Sequence, residues 1–195
     1  MITTEQIKAL RDETGISIMQ CRKALEEAGG DKEKALIILK KKGGDIAAKK
    51  ADRSLGASII SSYVHSNGKV GALVELSCET DFVAKNEEFK ALAYDIAMHA
   101  AAMNPEFLKK EDISEDMKKK AIEIFEKEVV GKPKDMQAKI LEGKINAYFK
   151  DKILLEQPFI KNPEVTVNGL VQAAIQKFGE KTEIVRFVRF GSLEK

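Results

Sequence analysis

The chain has 195 residues, a length that suits one domain or a small domain joined to a medium one. Lys and Arg number 33 and Asp and Glu number 31, so the net charge of +2 argues against a dedicated nucleic-acid binder, which carries a clear basic excess. Charged residues make up 33% of the chain and hydrophobic residues 44%, which predicts a hydrated surface around an aliphatic core and not a membrane protein.

Cysteine is too sparse for a disulfide framework or a zinc centre. Cys21 and Cys78 are the only two cysteines, they are distant from each other, and both lie in apolar patterns. Residues 1–6 have neither a basic leader nor an apolar run, so we expect no signal peptide. Together these features predict a cytoplasmic protein without a metal or a cofactor.

Residues 1–54 predict a bundle of three short helices followed by a linker helix. Ser17 begins the second helix and has Gln20 as its capping-box partner. The third helix is predicted to end at Gly43-Gly44, because glycine is typical of a helix C-terminus. Helices of about three turns are marginal alone, so the three must pack on one another.

The second helix carries two apolar side chains beside its predicted core stripe. That stripe runs through Cys21, Ala24 and Leu25. Ile18 lies near it by its i+3 spacing, whereas Met19 points aside. A flexible apolar side chain on a helix flank is typical of a docking contact, but partial burial against a neighbouring helix fits the pattern equally well.

Residues 55–195 predict an α+β fold, a small antiparallel sheet packed with helices. Residues 59–65 and 70–78 alternate as strands around Asn67-Gly68, the strongest short hairpin signal. Residues 182–190 predict a third strand. One face of that strand would combine Ile184, Arg186, Val188 and Phe190. Because both of its faces carry apolar residues, we expect helices on one side of the sheet and a second subunit on the other.

Helices are predicted for much of the remaining body. Residues 86–103 form an amphipathic helix with His99 on or beside its apolar face. Residues 114–150 predict two amphipathic helices that form an antiparallel hairpin through a short turn at 131–133. Residues 157–163 predict an irregular connection that leads to the last helix.

The motifs of covalent catalysis are missing from the sequence. It contains no Gly-rich phosphate loop, no Gly-x-Ser-x-Gly and no His-Glu-x-x-His. A Cys78–His99 dyad would need a core cysteine to point outwards, so the apolar pattern favours a structural role for Cys78. The sequence therefore predicts a protein that is not an enzyme.

The segment Thr80-Asp81-Phe82-Val83 places apolar residues in a turn between a core strand and a core helix. Phe82 could fold back and staple the start of the helix. It could instead project from the turn as an anchor residue that enters a partner's groove. Periodicity does not choose between these alternatives.

Several segments together resemble the elongation factor Ts family. The similarity lies, in the family's order, in residues 10–15, 19–25, 80–86, 95–101 and 155–160. Each motif is moderately specific, and their shared order is strongly specific. The resemblance implies that residues 1–54 form a module of the ubiquitin-associated type.

The resemblance implies a translation elongation factor that acts as a guanine-nucleotide exchange factor. Its partner would be elongation factor Tu, a GTPase, in the GDP-bound form. In relatives the pair that matches Asp81 and Phe82 enters the GTPase and displaces the elements that hold magnesium. Thr80 and Val83, in the same motif, belong to this predicted contact. A second contact set matches positions elsewhere in the chain, namely Arg11, Ile18, Met19, Arg22, Val70, Gly71, His99 and Ile160.

The resemblance also implies a homodimer, because long relatives carry two copies of a core that this chain carries once. Neither nucleic acid nor a membrane is expected as a direct partner. The alternative function is a ribosome- or chaperone-associated adaptor that binds peptides through its N-terminal helical module.

Overall fold

The computed structural model describes residues 2–130 and 134–193. The helices of this part of the chain are α1 Thr4–Thr14, α2 Ile18–Glu27, α3 Lys32–Lys49, α4 Asp81–Ala84, α5 Glu87–Met103, α6 Glu115–Val129, α7 Lys134–Lys150 and α8 Val167–Phe178. The strands are β1 Ala57–Val64, β2 Val70–Cys78, β3 Pro158–Phe159, β4 Asn162–Thr166 and β5 Thr182–Gly191. The predicted α+β fold with an N-terminal three-helix bundle is confirmed.

Helices α1, α2 and α3 enclose an apolar cluster of their own. Leu10 from α1, Cys21 and Leu25 from α2, and Leu39 from α3 are buried in it. Ser17 caps α2 by accepting a hydrogen bond from the backbone N–H of Gln20. Because single helices of this length are marginal, this shared burial is what stabilises the three as a bundle.

Helix α3 does not end at the glycine pair, and the prediction of a separate linker helix is wrong. It continues through Gly43-Gly44 to Lys49. Gly43 is buried against α8, where an added Cβ atom would lie 3.1 Å from Gln176 Oε1. Gly43 therefore serves close helix packing. The extended helix also places Ile46 and Ala47 against the core of the body.

The main sheet has the strand order β1-β2-β5 and is antiparallel throughout. The predicted hairpin is confirmed, and Gly68 adopts a φ of +67°, which side chains rarely tolerate. The inward residues of β2, among them Val74 and Leu76, pack against α5 and α8 in the main core. The alternation of β2 therefore identifies its buried face correctly.

Strand β5 carries a bulge that changes one predicted face. Leu76 pairs with Ile184 and the neighbouring Glu75 pairs with Arg186, so Val185 is the extra residue. The extra residue turns Ile184 inward, where it is buried, while Arg186 stays on the outer face. The prediction that Ile184 shares a face with Arg186, Val188 and Phe190 is therefore wrong.

Helices α6 and α7 pack antiparallel. Glu128 pairs with Lys144 at 2.6 Å, and the rings of Phe125 and Tyr148 meet edge to face. The turn predicted at 131–133 lies outside the described residues. The connection after α7 is more regular than predicted, since β3 and β4 form a short antiparallel hairpin there.

The N-terminal bundle and the body are in contact through α8. Gln176 Nε2 donates to Gln20 Oε1 at 2.7 Å. Lys50 Nζ, just after α3, donates to the carbonyl of Gly179 at 2.7 Å. The capping box predicted for Ser17 and Gln20 is therefore only half formed, because the Gln20 side chain binds Gln176 and only its N–H bonds to Ser17. None of the helices in the described part of the chain is both long and apolar enough to span a bilayer.

Candidate partner-binding site

Phe82 stands on a single helical turn at the end of the sheet. The turn, α4, is anchored from below by Val83 and Ala84, which are buried in the main core. Phe82 itself is 83% exposed. The staple alternative is therefore wrong for this side chain, because a staple would bury it against α5. An aromatic ring of this exposure is available to a partner.

Asp81 lies beside Phe82 and is equally accessible. Its carboxylate is 3.4 Å from Lys85 Nζ, one turn later, and both side chains are more than three-quarters exposed. Pairs of this kind contribute little to stability because water screens them. The fold therefore gains little from Asp81, and its carboxylate can exchange Lys85 for a partner's group.

The backbone before α4 is held by a carboxylate that the sequence analysis missed. Glu180 Oε2 accepts hydrogen bonds from the N–H groups of Glu79 at 3.1 Å and Thr80 at 2.9 Å. Glu180 Oε1 accepts one from the Thr80 hydroxyl at 2.6 Å. Local patterning could not reveal Glu180, because it lies 100 residues from Thr80 along the chain.

The predicted contacts in the N-terminal module are on its surface. Ile18 and Met19 are 59% and 68% exposed, at the start of α2. The prediction that Ile18 lies near the core stripe is wrong, because α2 turns Cys21, Ala24 and Leu25 into the cluster and leaves Ile18 mostly exposed. Arg11 and Arg22 are also exposed and pair with Asp12 at 3.3 Å and Glu26 at 2.8 Å.

Val70 and Gly71 begin β2, at the far end of the strand from α4. They line a shallow groove of about 460 Å³ together with Val64, Leu73 and Phe190. An added Cβ at Gly71 would lie 3.1 Å from the carbonyl oxygen of Tyr63, so glycine permits the close strand pairing there.

The structure does not bring Val70 and Gly71 to the same place as Phe82. Strand β2 spans Val70–Cys78, and its two ends are about 27 Å apart at a rise of ~3.4 Å per residue. One small contact patch on a single chain therefore cannot include both the start of β2 and α4.

His99 is fully buried on α5, so direct contact with a partner is not supported. Its Nδ1 accepts a hydrogen bond from the backbone N–H of Ile160 at 3.2 Å. Its Nε2 is 2.9 Å from Gln157 Oε1 and donates to that oxygen, because Nδ1 is the acceptor. Burial lowers the pKa of His99, which keeps the ring neutral. The ring positions Ile160, which is 44% exposed beside the β3–β4 hairpin.

The arrangement of Cys78 and His99 does not support a catalytic dyad. Burial, followed by the nearby Glu180 carboxylate, raises the pKa of the Cys78 thiol. The thiol donates to the carbonyl of Thr80 at 3.2 Å. Both ring nitrogens of His99 are used by Gln157 and Ile160, so the ring has no free nitrogen to accept a proton from the thiol.

Metal binding has no evident centre in this part of the molecule. Within residues 2–130 and 134–193, no group of three or more His, Cys, Asp or Glu side chains could hold a metal ion. The surface is suited to binding another protein, because it carries exposed apolar side chains on short rigid elements with single charged side chains beside them.

The fold and this surface define an α+β protein whose helical module and single-turn helix present apolar side chains to solvent. The family described as Elongation factor TS matches residues 32–192. Over 192 residues the chain is 49% identical to the elongation factor Ts of Thermosipho melanesiensis, covering 97% of this chain and 98% of that one. It is also 48% identical over 192 residues to that of Carboxydothermus hydrogenoformans, covering 97% and 88%.

The chain therefore belongs to the elongation factor Ts family. It is a translation elongation factor. The resemblance carried by its sequence motifs is confirmed, and the match extends from the third helix of the module to the end of β5.

Proposed function

We propose that this protein is a guanine-nucleotide exchange factor that binds elongation factor Tu with GDP and promotes GDP release. The family supports the choice of partner. The observation that carries the proposal is the 83% exposure of Phe82 on a helical turn whose Val83 and Ala84 are buried. An exposed aromatic ring on a fixed backbone is a suitable wedge, because little conformational entropy is lost when it enters a groove.

Exchange of this kind is a problem of relative affinities. The factor binds the nucleotide-free GTPase more tightly than the GDP-bound form, and by reciprocity it weakens GDP binding by the same ratio. No group has to donate or accept a proton. The proposal therefore requires no covalent chemistry and no cofactor in this chain.

The target of the wedge is the magnesium ion of the GTPase. Mg²⁺ demands near-ideal octahedral geometry. A small displacement of the protein segments around the ion therefore weakens the binding of Mg²⁺ and of the nucleotide phosphates that it bridges. In this proposal Phe82 displaces those segments. Asp81 beside it presents an exposed carboxylate whose pairing with Lys85 is weak. Val83 is buried in the core and the Thr80 hydroxyl is bound to Glu180, so these two residues support the turn and do not contact the partner directly.

The N-terminal module contributes a second contact on the GTPase. Its exposed apolar pair, Ile18 and Met19, fits an apolar partner surface, and Arg11 and Arg22 provide charges at the rim. On the body, Ile160 is exposed, while His99 acts through Ile160 and not by direct contact.

We also propose a homodimer formed through the outer face of the main sheet. That face carries an apolar patch in adjacent rows, with the exposed side chains Ile60, Val64, Leu73, Val188 and Phe190. Contiguous apolar patches on a soluble protein mark interaction sites. Gly71 lies in the same groove as Val64 and Phe190, so in this dimer the start of β2 packs against the second copy.

A translation factor of this family acts where the ribosome is, and we place it in the cytoplasm. Its partner is a folded protein, and neither nucleic acid nor a lipid surface is required. The near balance of 33 basic and 31 acidic residues is in keeping with such a partner.

The first prediction tests the wedge directly. Phe82→Ala should lower the acceleration of GDP release by about tenfold or more, the loss typical of a central anchor. The measurement is the release of fluorescent GDP from elongation factor Tu with the factor in catalytic amount. Because Phe82 is 83% exposed, the free energy of unfolding should change by less than about 0.5 kcal/mol.

Ile37→Ala is the matched control, because Ile37 is 68% exposed on α3 and belongs to no predicted contact. It should leave GDP release unchanged. If the unmodified protein does not accelerate GDP release, the exchange proposal is wrong and the peptide-binding adaptor becomes the leading alternative. If Phe82→Ala strongly destabilises the fold, Phe82 is a packing residue and not a wedge.

A further inference from the structure

We propose that Glu180 is a positioning residue for nucleotide exchange, which fixes the direction of Phe82 by holding the backbone before α4. The inference rests on the proposed function of Phe82. Glu180 lies in the turn between α8 and β5, and α4 follows β2 on the neighbouring strand.

One carboxylate makes three hydrogen bonds to two consecutive residues. Oε2 accepts from the N–H groups of Glu79 and Thr80, and Oε1 accepts from the Thr80 hydroxyl at 2.6 Å. Hydrogen bonds to an ionised acceptor are shorter and stronger than neutral ones. Both N–H directions and the Thr80 side chain are therefore set by the same group.

Helix α4 depends on outside support of this kind. It is four residues long, far below the length at which a helix is stable alone. Thr80 is its N-cap residue, yet the Thr80 side chain makes no capping hydrogen bond to α4. Its hydroxyl is bound to Glu180 instead. The start of α4 is thus held by Glu180, which lies in the turn just before β5.

Phe82 cannot fix its own direction, because its ring is exposed and lacks a packed surface to restrict it. Its orientation follows from the backbone on either side. Val83 and Ala84 anchor the C-terminal side in the core, and Glu180 anchors the N-terminal side through Thr80. Loss of either anchor would leave α4 free to rotate about the other.

The turn that carries Glu180 is itself fixed by further contacts. The carboxylate of Glu79 accepts the N–H of Lys181 at 2.6 Å, which lowers the pKa of Glu79, and it also binds Arg53. Lys181 Nζ donates to the carbonyls of Ala51 and Arg53 in the segment after α3. The Glu79 N–H donates to Glu180 and the Glu79 carboxylate accepts from the Lys181 N–H, so hydrogen bonds join the two segments in both directions and Glu180 holds α4 from a rigid base.

The test compares Glu180→Ala with Glu180→Gln in the full chain. Alanine removes all three acceptor contacts. Glutamine has the same shape, and its Oε can accept the two N–H groups while its amide donates to the Thr80 hydroxyl oxygen. The maximal rate of GDP release from elongation factor Tu should fall about tenfold for Glu180→Ala, as expected when a working group is misplaced. Glu180→Gln should restore most of that rate.

The concentration of factor at half-maximal rate should change little for Glu180→Ala, because the other contacts with the GTPase are intact. The double variant Phe82→Ala/Glu180→Ala should be no slower than Phe82→Ala alone, since Glu180 acts through Phe82. The proposal would be overturned if the loss of maximal rate in the double variant were the sum of the two single losses. It would also be overturned if Glu180→Ala promoted GDP release at the normal maximal rate.

Amide hydrogen exchange provides a readout that does not depend on the GTPase. Glu180→Ala should accelerate exchange at residues 79–84 and leave the centre of α5 unchanged. Unaltered protection at 79–84 would overturn the positioning role even if the rate fell. If the unmodified protein fails to accelerate GDP release from elongation factor Tu, the proposed function is wrong. The amide hydrogen-exchange result still decides whether Glu180 holds this segment.

Glu183→Ala is the charge-matched control, because Glu183 is on β5, three residues after Glu180, and its carboxylate is 3.6 Å from Lys181 Nζ. It should retain the normal rate. If Glu180→Ala does not fold, Glu180→Asp serves in its place. Aspartate keeps the charge and withdraws the oxygens by one methylene, so it should reproduce the loss of maximal rate.

Discussion

Single residues of this protein take their roles from burial as much as from chemical type. His99 and Phe82 were both predicted to contact the GTPase, and the fold separates them. His99 is 0% exposed and holds Ile160, whereas Phe82 is 83% exposed and is held by others. A histidine kept neutral by burial also links the stability of the body to pH.

The residue-scale prediction concerns this pH dependence. Burial places the pKa of folded His99 below its ordinary value of 6.5. As pH falls below that value the unfolded chain takes up a proton that the folded chain does not, so the free energy of unfolding decreases. The slope for one proton approaches about 1.4 kcal/mol per pH unit.

His99→Gln should remove this slope, because glutamine does not titrate. Denaturant unfolding of both proteins between about pH 5 and pH 8, the range in which histidine titrates, is the measurement. The difference in stability between the two should shrink as the pH is lowered, since carboxylates titrate equally in both. A constant difference would show that the ring does not stay neutral in the folded state.

At the scale of the element, the length of helix α3 depends on its contact with α8. Gly43 and Gly44 look like a helix end in the sequence, yet α3 passes through both. The two glycines differ in their surroundings. A Cβ at Gly43 would lie 3.1 Å from Gln176, whereas one at Gly44 would be 3.8 Å from Gln172, which is an ordinary contact distance.

The element-scale prediction is a pair of opposite effects. Gly44→Ala should stabilise the protein by up to about 1 kcal/mol, because alanine has the higher helix propensity. Gly43→Val should destabilise it by about 1–3 kcal/mol, since the larger side chain forces α3 away from α8. Thermal and denaturant unfolding measure both. If the two substitutions have the same sign, close packing at Gly43 is not what retains the glycine.

For the whole molecule, the main sheet has one face covered by helices and the other carrying exposed apolar residues. In one row Val64 and Phe190 lie on either side of Gly71, and in the next row Leu73 and Val188 lie side by side. Burying them against a second copy gains hydrophobic free energy that the single chain cannot gain by itself. The division of the chain into residues 1–54 and 55–195 stays a prediction, and α3 contributes to both sides of that boundary.

The whole-molecule prediction is that the protein has twice its chain mass of 21.6 kDa in solution and that Phe190→Glu halves this mass. Phe190 is 67% exposed, so the substitution leaves the folded chain intact while placing a charge inside the proposed interface. Sedimentation or light scattering at micromolar concentration measures it. Ile37→Glu, the same kind of change at an exposed residue of α3, should retain the dimer. A monomeric unmodified protein would refute the sheet-face interface.

The sequence alone determined what depends on neighbours along the chain. Helix caps, the Asn67-Gly68 hairpin and the alternation of β2 act within a few residues, so the α+β fold and most element positions could be predicted. The motif around Phe82 and the family could also be recognised from the sequence, because the family is marked by short motifs that follow one another in a fixed order along the chain.

Tertiary structure alone decided what depends on residues that are distant in the chain. The bulge that turns Ile184 inward arises from pairing with β2, and the helical path through Gly43 arises from contact with α8. Glu180 reaches Thr80 across 100 residues, and His99 is buried beneath Ile160. Local propensity is worth about 1 kcal/mol per residue or less, and packing and hydrogen bonding across the fold outweigh it at these positions.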